Sequence, residues 1–391
     1  MIKADVVVVG AGPGGSVAAQ RLAERGVKVV LIEEKQLPRL KTCGDLVTRE
    51  GLDVLQRSGL QDWADRFKQV NRLRFVSPDA QVLEVPLGMA PLARMIPRRH
   101  LDFLLAQEAI RSGTRLMDGT RVRRAAMSAH GWQVTAGRDE VEAQVLILAD
   151  GSHAPLTRSL GLLRGRVDLI AVRQYLAGDI DPDGPLEFHF QPNIIPGYTW
   201  MFPLGDGQIN VGAGTYFQRT HSGEVDLRAV VEAFKAIHPL DAGRLAGMQP
   251  AGPVRGHPLH TDLSATQTHG ERVLVVGDAA GLVGPFTGEG IAAAMRSAER
   301  AADSVWNALC AGDFSAKVFA PYTQALRQRY LADQKAARTL RSLLRLPALL
   351  NRFIRNLRED EIMARLFAEI YLDERSPRLL LKPGNILRSM F

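Results

Sequence analysis

Four consecutive valines, Val6–Val9, run directly into Gly10-Ala11-Gly12-Pro13-Gly14-Gly15. No other feature narrows the available folds as much. An unbroken apolar run predicts a strand buried on both faces, hence a parallel sheet. Gly14–Arg25 has helical composition and Gly26 is a natural stop. Val27–Glu33 is a second apolar strand, which completes a strand–helix–strand opening. In such a turn Gly10 permits the tight bend, and Gly12 lets a pyrophosphate approach the backbone. Gly15 lets helix and strand pack closely. Pro13 and Gly14 open the helix, whose positive end faces the phosphates. Glu33 lies 23 residues after Gly10, at the end of the second strand, where a carboxylate can bind ribose hydroxyls. Glu34 should point to the opposite side. The bland alternative is a glycine-rich turn without a ligand.

Two later junctions repeat the pattern of a buried strand followed by a polar turn. Arg272–Val276 runs into Gly277-Asp278-Ala279-Ala280, and a long helix is expected over Gly288–Leu309. Asp278 can accept a hydrogen bond from a ribityl hydroxyl. Amides near Gly290 can face the pyrimidine edge of a flavin and stabilise negative charge on the reduced ring. Val145–Ala149 is followed by Asp150-Gly151-Ser152, with Arg158 beyond it. Taken alone, that third motif reads equally well as a plain strand-end turn.

In this order the three motifs resemble the flavoproteins built on the p-hydroxybenzoate hydroxylase fold. More closely, the chain is similar to the geranylgeranyl reductase family. Lys41-Thr42-Cys43-Gly44-Asp45 resembles that family's Cys-Gly segment, and Arg98-x-x-Leu101-Asp102 its arginine-led helix start. Pro196-Gly197-Tyr198-Thr199-Trp200-Met201-Phe202-Pro203 resembles its Tyr-x-Trp-x-Phe-Pro signature. The resemblance implies FAD contacts at Cys43, Gly44, Arg98, Val122 and Asp150, and also at Asp278, Pro285, Gly288, Gly290 and Ile291. It implies a substrate wall at Tyr198, Trp200 and Phe202, and a catalytic candidate in Cys43. Read from the residues alone, the aromatic stripe is equally a strand's core face, and Cys43 a small buried filler. No metal site is expected.

The 391 residues allow two or three domains. The expected fold class is α/β: a Rossmann-type FAD-binding domain with an inserted antiparallel-sheet substrate domain and a helical C-terminal region. The first comprises 1–72, 96–164 and 268–312, and the second 73–95 and 165–267. Alternating runs such as Leu186–Phe190 and Gln208–Gly212, split by Pro-Gly and Asp-Gly turns, predict that sheet. His100–Ser112 and Val225–His238 are further expected helices.

Residues 313–391 form the basic helical region. Nine Lys and Arg face one acid, Asp333, between Arg327 and Arg358. Leu340, Leu343, Leu344, Leu350, Phe353, Ile354 and Leu357 recur at helical spacing, with Pro347 breaking the pattern into two helices. Such a stripe suits an anionic membrane surface or the protein's own body. The scarcity of aromatics there argues against nucleic acid.

A net charge of +7 suits an anionic cofactor, an acidic substrate or a membrane surface. Two cysteines, Cys43 and Cys310, make no disulfide framework. The start of the chain lacks signal-peptide features. The expected place is therefore the cytoplasm, with peripheral contact at the inner membrane face as an extension.

The resemblance implies FAD-dependent saturation of carbon–carbon double bonds in a prenyl lipid, with electrons from NAD(P)H or a small redox protein. A hydroxylating monooxygenase on the same fold, or a flavin-containing sensor without turnover, stays open, since fold does not decide function. Halogenases of this type carry Trp-x-Trp-x-Ile-Pro where this chain has Tyr198-Thr199-Trp200-Met201-Phe202-Pro203, which argues against halogenation.

Overall fold

The computed structural model describes residues 1–88, 92–241, 243–245 and 247–390. Residues 89–91 of the expected 73–95 segment, 242 and 246 of 165–267, and 391 of the C-terminal region lie outside the described residues.

The valine run lies in the strand Ile2–Val9, near the middle of the first sheet. Its order is His269–Gly270, Val273–Val275, Asp139–Leu148, Ile2–Val9, Val29–Ile32, Arg115–Met117. The last five of these are parallel. Burial on both faces is what the run of valines predicts, and Val6, Val7 and Val8 are fully buried. Val122–Ser128 and Gly131–Ala136 add an antiparallel hairpin beside Asp139–Leu148. The helix Pro13–Ala23 packs against the helix Ile291–Ala311. The two come so close that a Cβ on Gly14 would lie 3.1 Å from the Ala294 carbonyl oxygen.

The second sheet runs Gln249–Pro250, Leu169–Ala177, Gln208–Tyr216, Tyr198–Pro203, Leu186–His189, Arg72–Val76, Val82–Pro86. It is antiparallel except that Leu186–His189 lies parallel to Arg72–Val76, which amends the expected all-antiparallel sheet. These two strands are far apart in sequence, so no hairpin imposes a direction on them. One face carries Phe188, Trp200 and Phe202 and packs on the C-terminal helices. The other carries Ile209, Met201 and Val211 and packs on the helix Leu227–Ala236.

Helices Ala316–Leu343, Pro347–Glu359, Glu361–Tyr371 and Pro383–Met390 close that first face. Pro347 opens a helix, as expected, at a position where its missing N–H costs nothing. The apolar stripe is turned inward: Leu340, Leu344, Leu350, Phe353, Ile354 and Leu357 are buried in the core shared with Phe75 and Leu83. Leu343 and Leu346 stay exposed. Among the described residues, no helix is long and apolar enough to cross a membrane.

Candidate active site

One cavity of about 670 Å³ runs between the two sheets. Gly10, Gly12, Pro13, Gly14 and Glu33 line one end, and Tyr198, Trp200 and Phe202 the other. Between them lie Cys43, Gly44, Arg98, Val122, Asp150, Asp278, Pro285, Gly288, Gly290 and Ile291. Of the residues singled out from sequence, Gly15 is not on the wall. A Cβ there would sit 1.7 Å from the Gly10 carbonyl oxygen, so Gly15 serves helix–strand packing.

At the glycine end the helix begins at Pro13 with no side-chain cap, leaving its first amides open. The Glu33 carboxylate accepts the Ala11 N–H at 2.9 Å and pairs with Arg39 at 3.1 Å. Glu34 also reaches the cavity. The strand ends at Ile32, so the alternation expected to turn Glu34 away no longer applies. Arg98 forms a two-point pair with Asp102 at 2.6 and 2.9 Å, and Arg39 holds the same carboxylate at 2.8 Å. Burial pulls the Lys41 ammonium down to about 8, and neighbouring Arg98 adds to the effect.

The Cys43–Asp45 segment is tied to the second sheet. Asn210 donates to the Cys43 carbonyl and to Asp45, both at 2.8 Å, and accepts from the Trp200 indole at 2.9 Å. Tyr175 donates to Asp45 at 2.6 Å. Burial pushes the Cys43 thiol up, so it stays protonated at neutral pH.

The Asp150 carboxylate is spent on the helix Pro155–Ser159, accepting Leu156 N–H at 2.9 Å and Thr157 Oγ1–H at 2.6 Å. What Asp150 can offer a ligand is its backbone. Arg158 donates to the carbonyls of His153 and Gly165. Asp278 accepts from Ser152 at 2.9 Å.

The helix expected from Gly288 begins at Ile291, because Gly288 holds a φ of +75° outside it. The Ile291 N–H is taken by the Glu289 carboxylate at 3.1 Å. That amends the expectation that these first amides are free to face a ring.

Tyr198, Trp200 and Phe202 share one face, and Phe188 packs against Tyr198 and Phe202. Tyr198 Oη donates to the Thr287 carbonyl. Among the lining residues that escaped the reading from sequence are Arg39, Glu289, Arg341 and Tyr371. Glu289 was legible in principle, inside Gly288-Glu289-Gly290. Arg341 and Tyr371 were not, since only tertiary packing brings the C-terminal helices here.

Residues 3–187 match the model of an FAD binding domain. The chain is 32% identical over 361 residues to a menaquinone reductase of Mycolicibacterium smegmatis, covering 89% of this chain and 86% of that one. It is 32% identical to a digeranylgeranylglycerophospholipid reductase of Methanothrix thermoacetophila over 84% of both. The structure of a geranylgeranyl bacteriochlorophyll reductase-like protein from Thermoplasma acidophilum superposes with a TM-score of 0.84 and 25% identity, over 97% of this chain and 99% of that one.

The cavity suits the cofactor these matches imply. Its narrow end is a side-chain-free turn under an open helix start, flanked by Arg39, Lys41 and Arg98, as a pyrophosphate requires. The neutral ring of His257 and the guanidinium of Arg341 each leave a buried nitrogen without a protein partner on its wall. With the motifs, the cavity and the relatives in agreement, the chain belongs to the geranylgeranyl reductase family of FAD-dependent oxidoreductases.

Proposed function

We propose that this protein saturates carbon–carbon double bonds of a prenyl lipid. The observation that carries the reading is the cavity's composition, polar and cationic at the glycine end and aromatic beyond Cys43. FAD, when bound, supplies the hydride. The turn Gly10–Gly14 and the open helix start hold its phosphates, and Glu33 its ribose. Asp278 binds the ribityl chain, and Arg98 with the Val122 and Asp150 backbones completes the grip. Pro285, Gly288, Gly290 and Ile291 flank the ring, and Cys43-Gly44 covers its other side. As a protonated thiol, Cys43 is a neutral contact there and no thiolate nucleophile.

Tyr198, Trp200 and Phe202, with Phe188 and Tyr371, exclude water and lay an isoprenoid chain along one wall. The named relatives, reductases of a prenylated quinone and of geranylgeranyl lipids, support that substrate class. Arg341 meets the polar head. Its guanidinium lies 4.3 Å from the Tyr216 ring centre and donates to the Pro285 carbonyl at 2.8 Å, and its Nε has no protein partner.

The test is anaerobic. Protein reduced with dithionite, which bypasses the natural electron donor, is mixed with prenyl quinones and geranylgeranyl lipids. Flavin reoxidation with an isoprenoid chain about two mass units heavier is expected, read after air has returned any quinol to quinone so that ring reduction does not count; the masses of two added hydrogens set that figure. Reoxidation only with oxygen, yielding a hydroxylated product, overturns the reading. Arg341→Ala should raise KM about tenfold or more while leaving kcat nearly unchanged, because it removes binding that ground and transition states share.

Peripheral membrane contact is part of the same proposal, now confined to what stays exposed. Leu343 and Leu346 are exposed in the chain segment of the exposed Arg345, and Ile362 in that of Arg358, while Leu387 is exposed next to Arg388, which pairs with Asp360. Leu346→Glu combined with Ile362→Glu should abolish flotation with anionic vesicles. Undiminished flotation removes this surface from the proposal.

A further inference from the structure

Reduction of an isolated double bond needs a proton as well as a hydride, and no acid for it was identifiable in the sequence. Glu289 meets the requirements. It lines the cavity between the two ends of the site. A Cβ on Gly290 would lie 3.2 Å from Asp278 Oδ1, on the cofactor side. A Cβ on Gly288 would lie 3.7 Å from Tyr198 Oη, on the substrate side. Glu289 differs from the other carboxylates of the site, since Glu33 and Asp102 are paired with arginine. Among the described residues no Lys, Arg or His forms an ion pair with Glu289. The Ile291 N–H donates to its carboxylate at 3.1 Å, and the charges of Asp373 and Asp278 act on it.

Asp373 follows Tyr371, which lines the same cavity. The charges of Arg329, Glu50, Asp333 and Arg296 act on Asp373. Glu50 pairs with Arg296 at 2.5 Å and with Arg329 at 3.2 Å, and its Oε2 is buried without a protein partner. Glu50 and Arg296 also line a separate polar groove with Arg57, Glu299 and Asp303, residues that are exposed or half-buried.

Resting on the reductase reading above, we propose that Glu289 is the acid that protonates the substrate alkene. The π bond of the alkene breaks. One carbon takes the hydride from the reduced flavin and the other takes the proton of the Glu289 carboxyl, forming two C–H bonds. The flavin is oxidised by two electrons and the alkene is reduced by two. Glu289 is left as a carboxylate and recovers its proton from solvent once the product has left the cavity. Burial, then the charge of Asp373, raises the Glu289 carboxyl to about 8, and burial raises Asp373 to about 7. Glu289 is therefore protonated at neutral pH and Asp373 titrates there.

Three readouts test this. In single turnovers of the reduced holoprotein with a geranylgeranyl lipid that carries no quinone ring, the wild-type rate should be level below about pH 7 and fall through about pH 8. Glu289→Gln keeps an oxygen for the Ile291 N–H, so the loop and flavin content should persist. Its rate should drop by about 100-fold or more and lose the break near pH 8. Infrared difference spectra of the FAD-loaded protein, without substrate, should show a protonated carboxyl band that titrates near pH 8 and is absent from Glu289→Gln. Asp373→Asn removes a negative neighbour, so the break and the band should move to lower pH.

A Glu289→Gln rate within threefold of wild type overturns the donor assignment, as does a band unchanged in that variant. An unmoved break in Asp373→Asn overturns the coupling of Asp373 to Glu289 and, with it, the assignment of that break to Glu289. Wild-type protein that no prenyl lipid reoxidises defeats the functional reading itself, and the donor role with it.

Discussion

Gly12→Ala should yield a folded protein that binds FAD much more weakly, and Gly15→Ala a protein that does not fold. Gly12 has φ −77° and ψ −175°, open to any residue. The nearest atoms to an added Cβ are the guanidinium nitrogens of Arg39 and Arg98, both at 3.8 Å. The protein itself has room for that methyl. The pyrophosphate does not, because it must lie against the backbone at this position and between those two cations. A loss of FAD affinity on the order of 100-fold is expected, or about 2.7 kcal/mol.

Gly15 is the opposite case. Its added Cβ would meet the Gly10 carbonyl oxygen at 1.7 Å, the Gly10 carbonyl carbon at 3.0 Å and Ala149 Cβ at 3.2 Å. Gly10 cannot move aside. It holds a φ of +102°, and a Cβ there would stand 2.3 Å from the Ala149 carbonyl oxygen. First strand, first helix and the Asp139–Leu148 strand are thus locked at one point. The clash should cost more than about 3 kcal/mol. Gly384→Ala is the control, with nothing within 4 Å of its added Cβ. It should lie within about 1 kcal/mol of wild type. Flavin absorbance after purification and denaturant melts of the flavin-free proteins separate the outcomes. Gly12→Ala with wild-type FAD affinity would show that the phosphates do not bind at this turn.

What the sequence made legible follows from the range of the forces involved. The opening strand, turn and helix depend on local periodicity and on glycine geometry, and both are written in adjacent residues. The same holds for the aromatic stripe, whose alternation put Tyr198, Trp200 and Phe202 on one face. The Glu33 partner Arg39 was not legible, since a loop folds back to place it. Asp150 looked available because its helix contacts lie six and seven residues on, and a turn motif does not reveal them. The C-terminal stripe was ambiguous for a physical reason. An apolar helix face has the same spacing whether lipid or a sheet covers it, and the neighbours of Phe75 and Phe188 decided it. Glu289 was overlooked because its environment, unlike its position, is made by Asp373 from a distant helix end.

The largest stability effect away from the cavity should come from Glu187. Along Leu186–His189 the side chains alternate, so Phe188 faces the cavity while Glu187 and His189 face the opposite layer. Glu187 is fully buried. Its Oε1 is held by Arg244 at 2.7 Å and Arg74 at 2.8 Å, and its Oε2 by His189 at 2.9 Å and His238 at 3.3 Å. His238 Nδ1 accepts the Leu240 N–H, which leaves Nε2 to carry the proton toward Glu187. The ligand atoms of Glu187, His189 and His238 lie within 4.8 Å of one another. Two guanidiniums already neutralise that carboxylate, so a hydrogen-bonded hub is the better description than a cation site.

Burial alone would raise the Glu187 carboxyl, but the hydrogen bonds from His189 and His238 outweigh it and hold the group well below the usual carboxylate range. A depressed folded-state pKa contributes stability that is full above the unfolded value of about 4.3 and is lost as pH falls below it. Glu187→Ala at neutral pH should cost about 3–5 kcal/mol, because it strands Arg244 and two histidines in a water-poor layer and leaves Arg74 only its pair with Glu84. Glu187→Gln should cost nearly as much, since an amide cannot neutralise two guanidiniums. Arg72→Ala, which removes a half-exposed pair with Glu84, should cost less than about 1 kcal/mol. Denaturant melts at pH 7 and pH 4 measure both terms: the gap between wild type and Glu187→Ala should narrow at the lower pH. A gap below about 1 kcal/mol at pH 7 would mean that the hub is solvated and that the sheet is held by its apolar face alone.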